Sequence, residues 1–241
     1  MISPTIEFIR EREFEHTSID LGYADLSTIE IDGKRRYVIP TNTLKLITYP
    51  SITTVLSHGK NYALENWKRR VGEEESNRIS RIACDRGSAL HSLMERYINN
   101  ENIVFDASIM PDAVAMFRGI VPEINMHIGK VFLQEKPLYS NHLKVAGRTD
   151  LIAEFDGRLS VIDFKTSKRI KTRSEIDNYF IQTCAYCIMF EERTGIPVDK
   201  LVIIMAVDGQ RKPIVFTDNR DNWIDSLHKA ITKYEKDHGS N

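Results

Sequence analysis

The stretch Gly147–Ser167, GRTDLIAEFDGRLSVIDFKTS, narrows the possible folds more than any other part of the chain. Two runs rich in apolar and β-branched residues flank Asp156-Gly157, a dipeptide that favours a two-residue hairpin turn because both positions accept positive φ. Such a turn sets Phe155 opposite Arg158 and fixes the later pairs: Ile152 with Val161, Asp150 with Asp163, Arg148 with Lys165. Two carboxylates are then expected to meet across the hairpin, about 5 Å apart at Cβ. Like charges so placed repel unless something positive sits between them, and a divalent cation is the natural candidate. Lys165, two residues beyond Asp163, projects to the same side.

Alternation along the two strands assigns Ile152, Leu159 and Val161 to one face and Leu151, Ala153, Phe155, Ile162 and Phe164 to the other. Both faces are apolar, as in a sheet covered on both sides within a layered α/β core. A solvated surface hairpin would explain the charges but not these neighbours, and acids buried among them need pairing or a metal.

At 241 residues, with 41% hydrophobic and 28% charged residues, the composition is that of a soluble globular protein with one sizeable domain. The net charge of −1 does not mark a nucleic-acid binder as a whole, but a local patch counts for more than the sum. One such patch is KTSKRIKTR, Lys165–Arg173, which holds five positive residues and no acid directly after the second hairpin strand. Lys168, Arg169, Lys171 and Arg173 are candidates for backbone phosphates there, a solvated loop being the alternative. No apolar run approaches the roughly 20 residues of a membrane span. The N-terminus, MISPTIEFIREREFEHTS, is too acidic for a signal or transit peptide, so a soluble, cytoplasmic protein is expected. The three cysteines, Cys84, Cys184 and Cys187, suit a reducing compartment. The CxxC formed by Cys184 and Cys187 lies within a helical pattern and reads as core packing rather than as a redox or zinc motif.

Along the chain, residues 1–72 read as an accessory region, mostly helical apart from a hairpin of Ser27–Ile31 and Lys34–Ile39 around Asp32-Gly33. Pro50-Ser51 opens a short helix, SITTVLSHG, and a second follows over Tyr62–Val71. In the second, Trp67 with Arg69 and Arg70 could stack a base and grip its phosphate, or Trp67 could simply anchor helix packing. Residues 73–241 read as the core, beginning with a long helix over Glu73–Asn100 with acids in its first turn. Gly87 inside it suggests a close backbone approach or a break. His91 follows one turn later, a metal ligand or a hydrogen-bonded core histidine. A helix over Pro111–Gly129 contains Pro122, and Val131–Leu138 reads as a strand carrying Glu135. Ser174–Thr194 is expected as a helix capped by Ser174 and stopped by Gly195, with Gln182 and Tyr186 sharing a face. Leaving out the extra helix at Pro111–Gly129, a strand at Leu201–Ala206 completes an α-β-β-β-α-β core, and another strand at Pro213–Thr217 and a closing helix over Asn222–Lys236 follow it.

That order, with Asp150 on one strand and Asp163-Phe164-Lys165 on the next, resembles the PD-(D/E)XK nuclease superfamily. The RecB-like branch is the nearer match, through His91 in RGSALH and the Gln-x-x-x-Tyr motif at Gln182 and Tyr186. PSITTVL, WKRRVGEEE, RGSALHSLMERY, GRTDLI and IDFKTS are similar to phage and bacterial exonucleases related to the mitochondrial genome maintenance exonuclease, over residues 35–210. The resemblance implies a mixed central sheet flanked by helices and a metal-dependent exonuclease for single-stranded DNA or single-stranded ends in replication, recombination or repair. It further implies Mg²⁺ or Mn²⁺ held by His91, Asp150, Asp163 and the Phe164 carbonyl, with Glu135 as a further ligand or a salt-bridge partner. Lys165 would orient the attacking water and stabilise developing charge, supported by Gln182 and Tyr186. Three cysteines in unsuitable places exclude the four-cysteine iron–sulfur cluster of some relatives, and no Walker-type nucleotide motif is present. A flap endonuclease and a catalytically silent nucleic-acid-binding relative are the competing readings.

Overall fold

The computed structural model describes residues 6–58 and 61–238. In chain order its strands and helices are β1 (Ile6–Phe8), β2 (Thr28–Ile31), β3 (Lys34–Ile39), β4 (Ile47–Pro50), α1 (Ile52–Ser57), α2 (Asn61–Val71) and α3 (Glu73–Ile98). There follow β5 (Ile103–Phe105), α4 (Pro111–His127), β6 (Ile128–Ser140), β7 (Val145–Phe155), β8 (Arg158–Ser167), α5 (Asp177–Thr194), β9 (Lys200–Val207), β10 (Ile214–Asn219) and α6 (Ile224–His238).

The main sheet has the order β10-β9-β8-β7-β6, antiparallel except for the parallel pair β8–β9. That one parallel pairing requires a crossover, which α5 supplies. From α3 onward, setting aside α4 and the short β5, the chain runs α-β-β-β-α-β as expected. The β7–β8 turn is a two-residue one, with Asp156 at φ 55° and Gly157 at φ 73°, and Phe155 pairs with Arg158 and Ile152 with Val161.

Both sheet faces are covered, and the alternation read from the hairpin holds. Ile152 and Val161 pack with Ile52 and Val55 of α1, Phe180 and Phe190 of α5 and Leu227 of α6. Leu151, Ala153, Phe155, Ile162 and Phe164 pack with Leu90, Met94 and Tyr97 of α3 and Phe117 and Ile120 of α4. Tyr97 and Phe117 are fully buried, and such rings each contribute up to about 3 kcal/mol by leaving water.

The first 72 residues contain the expected hairpin and both helices, and add β1 and β4. β1 pairs with β5, and β4 extends the hairpin to a three-stranded sheet. Its end meets β7 through a bridge between Ser51 and Ala146. Residues Glu15–Thr17 run beside Val131 of β6, with backbone bonds of 2.8 Å in both directions, covering a sheet edge that would otherwise stand open.

Three local expectations need correction. Gly87 does not break α3, which runs through it without interruption. A Cβ there would meet nothing closer than Thr166 Oγ1 at 3.9 Å. Ser174 is not the cap of α5: Thr172 and Glu175 form a capping box around a short 3₁₀ turn, and the helix starts at Asp177. The Thr-x-x-Glu spacing satisfies two backbone donors at once, which outweighs a lone serine. Lastly, the β7–β8 pairing stops at Leu151 and Ile162, so Asp150 with Asp163 and Arg148 with Lys165 are not ladder pairs, and Arg148 pairs instead with Pro137 of β6.

Candidate active site

Where the β7–β8 ladder ends, the strands part and side chains fill the gap. Asp150 Oδ2 accepts from the Phe164 backbone N–H at 2.8 Å, satisfying a donor that the ladder no longer uses. Asp163, only 1% exposed, lies with Oδ2 2.5 Å from Lys165 Nζ. Its Oδ1 accepts from Gln182 Nε2 at 3.3 Å, and the same amide donates to the Tyr186 hydroxyl at 3.2 Å. Gln182 and Tyr186 therefore share a face of α5, as their spacing requires.

Tyr186 reaches the strand because residue 147 is glycine. A Cβ there would stand 2.8 Å from Tyr186 Cε1 and 2.9 Å from its hydroxyl, inside van der Waals contact.

On the β6 side, Gln134 pairs with Leu151 and Lys136 with Thr149. Glu135 is thereby set opposite Asp150, at a backbone φ of 44° that is uncommon for a residue other than glycine. From α3, His91 Nδ1 stands 3.5 Å from Asp150 Oδ1 and 3.7 Å from Glu135 Oε1. Its Nε2 donates to the Phe164 carbonyl at 3.0 Å, which fixes the ring with Nδ1 toward the acids. His91, Glu135 and Asp150 offer ligand atoms that lie within 4.8 Å of one another. They open onto a cleft of roughly 510 Å³, lined also by Arg35, Thr53, Ser88, Ser92, Glu95 and Arg148.

The charges are strongly coupled. Burial pushes Asp163 up to about 6 against the pull of Lys165, and burial likewise raises Asp150. Burial alone would lower His91, but Asp150 and Glu135 outweigh it and hold the imidazole at about 9. Burial would lower Lys165 too, yet Asp163 and Asp150 raise it, so the side chain is an ammonium and not a base.

A divalent cation fits this arrangement. One imidazole and two carboxylates converge, with the Asp163–Lys165 ion pair beside them. Carboxylates joined by an imidazole suit a divalent cation. Asp163 lies outside the three-residue cluster, and the Phe164 carbonyl is occupied by His91.

The residues expected at phosphates are placed differently. None of Trp67, Arg69, Arg70, Lys168, Arg169, Lys171 and Arg173 is among the described residues lining the cleft. Arg169 pairs with Glu175 and holds its carboxyl down at about 2. Arg173 pairs with Asp218 and covers the Phe180 ring, and Arg69 has Glu65 at 3.9 Å. Trp67 is half-buried in α2, with Lys168 and Arg70 exposed. Lys171 comes nearest the site, donating to the Tyr179 hydroxyl at 2.6 Å and sharing that ring with Lys165. Sequence reasoning passed over Arg35 and Thr53, brought to the cleft by the N-terminal sheet and α1, and Arg148, whose place two residues before Asp150 was the available signal.

The family model of the PD-(D/E)XK nuclease superfamily matches residues 56–234. The chain belongs to the PD-(D/E)XK nuclease superfamily. That match reaches further toward the C-terminus than the motifs, which end at residue 210. The mouse mitochondrial genome maintenance exonuclease 1 is similar, 28% identical over 149 residues that cover 57% of this chain and 43% of the mouse protein. The chain thus spans less than half the length of that relative. Among the described residues no helix is long and apolar enough to cross a membrane.

Proposed function

We propose that the chain is a metal-dependent deoxyribonuclease that hydrolyses phosphodiester bonds of single-stranded DNA or single-stranded ends, working from a terminus. The observation that carries the reading is the convergence of His91 Nδ1, Glu135 and Asp150 beside the Asp163–Lys165 pair at the floor of a cleft. His91, Glu135 and Asp150 would hold Mg²⁺ or Mn²⁺, with Asp163 adding charge close by. A bound ion there supplies an acidified water and neutralises charge on the leaving oxygen.

The chain's own groups do the rest. Lys165, kept protonated by Asp163 and Asp150, stabilises negative charge developing on the phosphate oxygens. Gln182 fixes the Asp163 carboxylate by donating to Oδ1, leaving Oδ2 to face Lys165. Tyr186 holds Gln182 from behind. The Phe164 carbonyl holds His91 in the tautomer that presents Nδ1.

The exonuclease reading draws support from the name of the mouse relative. The preference for single strands rests on the resemblance to RecB-like nucleases and on a sequence that shows no element suited to reading duplex grooves. Roles in replication, recombination or repair follow as the processes that expose such ends.

The test is cleavage of end-labelled single-stranded, duplex and flap DNA with Mg²⁺ or Mn²⁺, wild type against Lys165→Ala. Progressive shortening from one end is the expected result. Cuts at internal junctions would favour a flap endonuclease, and no cleavage under either ion would leave a nucleic-acid-binding relative.

A further inference from the structure

Glu135 is the member of the acid cluster whose position the fold does not secure by itself. Its neighbours Gln134 and Lys136 keep the β6–β7 register, whereas Glu135 and Asp150 drop out of the ladder between them. The residue is turned to φ 44°, a conformation that non-glycine residues hold only when their surroundings enforce it. The enforcing group is visible. Arg148, on β7 two residues from Asp150, donates through Nη1 to the Glu135 backbone carbonyl. Its Nη2 donates to both oxygens of Asp25, at 3.0 and 3.3 Å. Asp25 lies in the segment before β2, so the N-terminal region grips the far end of the guanidinium.

The geometry points to Arg148 as a positioning residue: by capturing the Glu135 carbonyl it holds that residue in its left-handed conformation and so keeps the Glu135 carboxylate beside His91 and Asp150, with Asp25 steadying the guanidinium. Without this capture the backbone would relax toward the extended form of its neighbours and carry the carboxylate away from the cluster. Arginine suits the task because its rigid fork serves two acceptors in fixed directions, whereas a lysine offers a single point charge. The inference deepens the proposed metal site and rests on it.

The experiment is calorimetric titration of Mn²⁺ and Mg²⁺ into the full chain for wild type, Arg148→Ala, Arg148→Lys, Asp25→Asn, Glu135→Gln and the double variant Arg148→Ala/Glu135→Gln. Arg148→Ala is expected to weaken ion binding by about 10-fold to 100-fold, the usual cost of losing a group that orients a ligand. Arg148→Lys should recover part of the loss. Asp25→Asn, which leaves the sheet untouched, should weaken binding by no more than about fivefold, as for other exposed ion pairs. In the Glu135→Gln background Arg148→Ala should add little, because the two act as one unit. Unchanged ion affinity in Arg148→Ala, or fully additive losses in the double variant, would overturn the positioning role while leaving the metal site standing. A wild-type chain that binds neither ion would overturn the metal site and this inference together.

Discussion

Lys165 and Asp163 face each other across 2.5 Å at the parting of β7 and β8, the carboxylate 1% exposed and the ammonium at the edge of solvent. Each raises the cost of losing the other. Lys165→Ala should lower cleavage of single-stranded DNA by at least about 100-fold, the scale of removing one preorganised charge from a transition state. Asp163, already pushed up to about 6 by burial, then takes up a proton at neutral pH, so the variant stays folded by circular dichroism. Cleavage at the wild-type rate would remove Lys165 from the reaction.

His91 gives the site a pH signature. Its ordinary value is 6.5, and Asp150 and Glu135 hold it at about 9 against the effect of burial. A raised histidine lends stability that is fully present below about 6.5 and is lost as pH climbs through about 9. The metal-free chain should therefore lose stability over that window. Ion binding must displace the Nδ1 proton, so stabilisation by Mg²⁺ should grow over the same window. Melting temperatures measured with EDTA and with Mg²⁺ at successive pH values should diverge as pH rises, and parallel curves would contradict the assignment.

Gly147→Ala tests how Tyr186 is seated. The added methyl would stand 2.8 Å from the ring and 3.1 Å from Ile52 Cγ2, and overpacking of this kind typically costs about 1–3 kcal/mol. Urea unfolding should show a lower midpoint with an unchanged slope, and cleavage should fall as Tyr186 shifts from Gln182. A stability equal to the wild type would show that the ring has room to move.

The cysteines offer a check on the core. Cys84 is exposed whereas Cys184 and Cys187 are buried in α5, and burial pushes the Cys184 thiol up to about 12. A disulfide-exchange reagent at mild alkaline pH should titrate one thiol in the native chain and all three in denaturant. Rapid reaction of a second thiol would argue against the packing of α5 on the sheet.

Among the basic residues after β8, Lys171 and Arg169 should differ. Lys171→Ala is expected to lower the salt dependence of single-strand binding by about 0.7 in the log–log slope, one phosphate contact. Arg169→Ala should leave it nearly unchanged, because Glu175 already neutralises that guanidinium. Equal slopes for both variants and wild type would place the strand elsewhere.

What the sequence revealed of this site, and what it hid, divides along one line. Asp163, Lys165, Gln182 and Tyr186 follow from local periods, two along a strand and four along a helix, and all four meet. The hairpin register sets Asp150 directly opposite Asp163, whereas in the structure its carboxylate caps the Phe164 N–H and the ladder ends one pair early. Glu135 was legible as a strand acid and, through the family resemblance, as a candidate ligand, but its place in the cluster was not. Its place depends on register shifts between Ile128, Val131 and Leu133 and on a positive φ, neither of which has a residue-type signal. The pairing of Arg169 and Arg173 with Glu175 and Asp218 was hidden for a different reason: Asp218 arrives from β10, far along the chain.

The His91–Glu135–Asp150 cluster is assembled from α3, β6 and β7, parts far apart in the chain, and the parallel pairing of β8 with β9 closes the main sheet only after α5 has crossed over. Such non-local closure is slow relative to the turning of a hairpin. The β7–β8 hairpin can form early with its two acids unsupported, and the complete ligand set belongs only to the finished topology. A divalent ion that recognises the full set therefore reports on folding as much as on chemistry: it binds the native state alone and raises its stability with the logarithm of ion concentration.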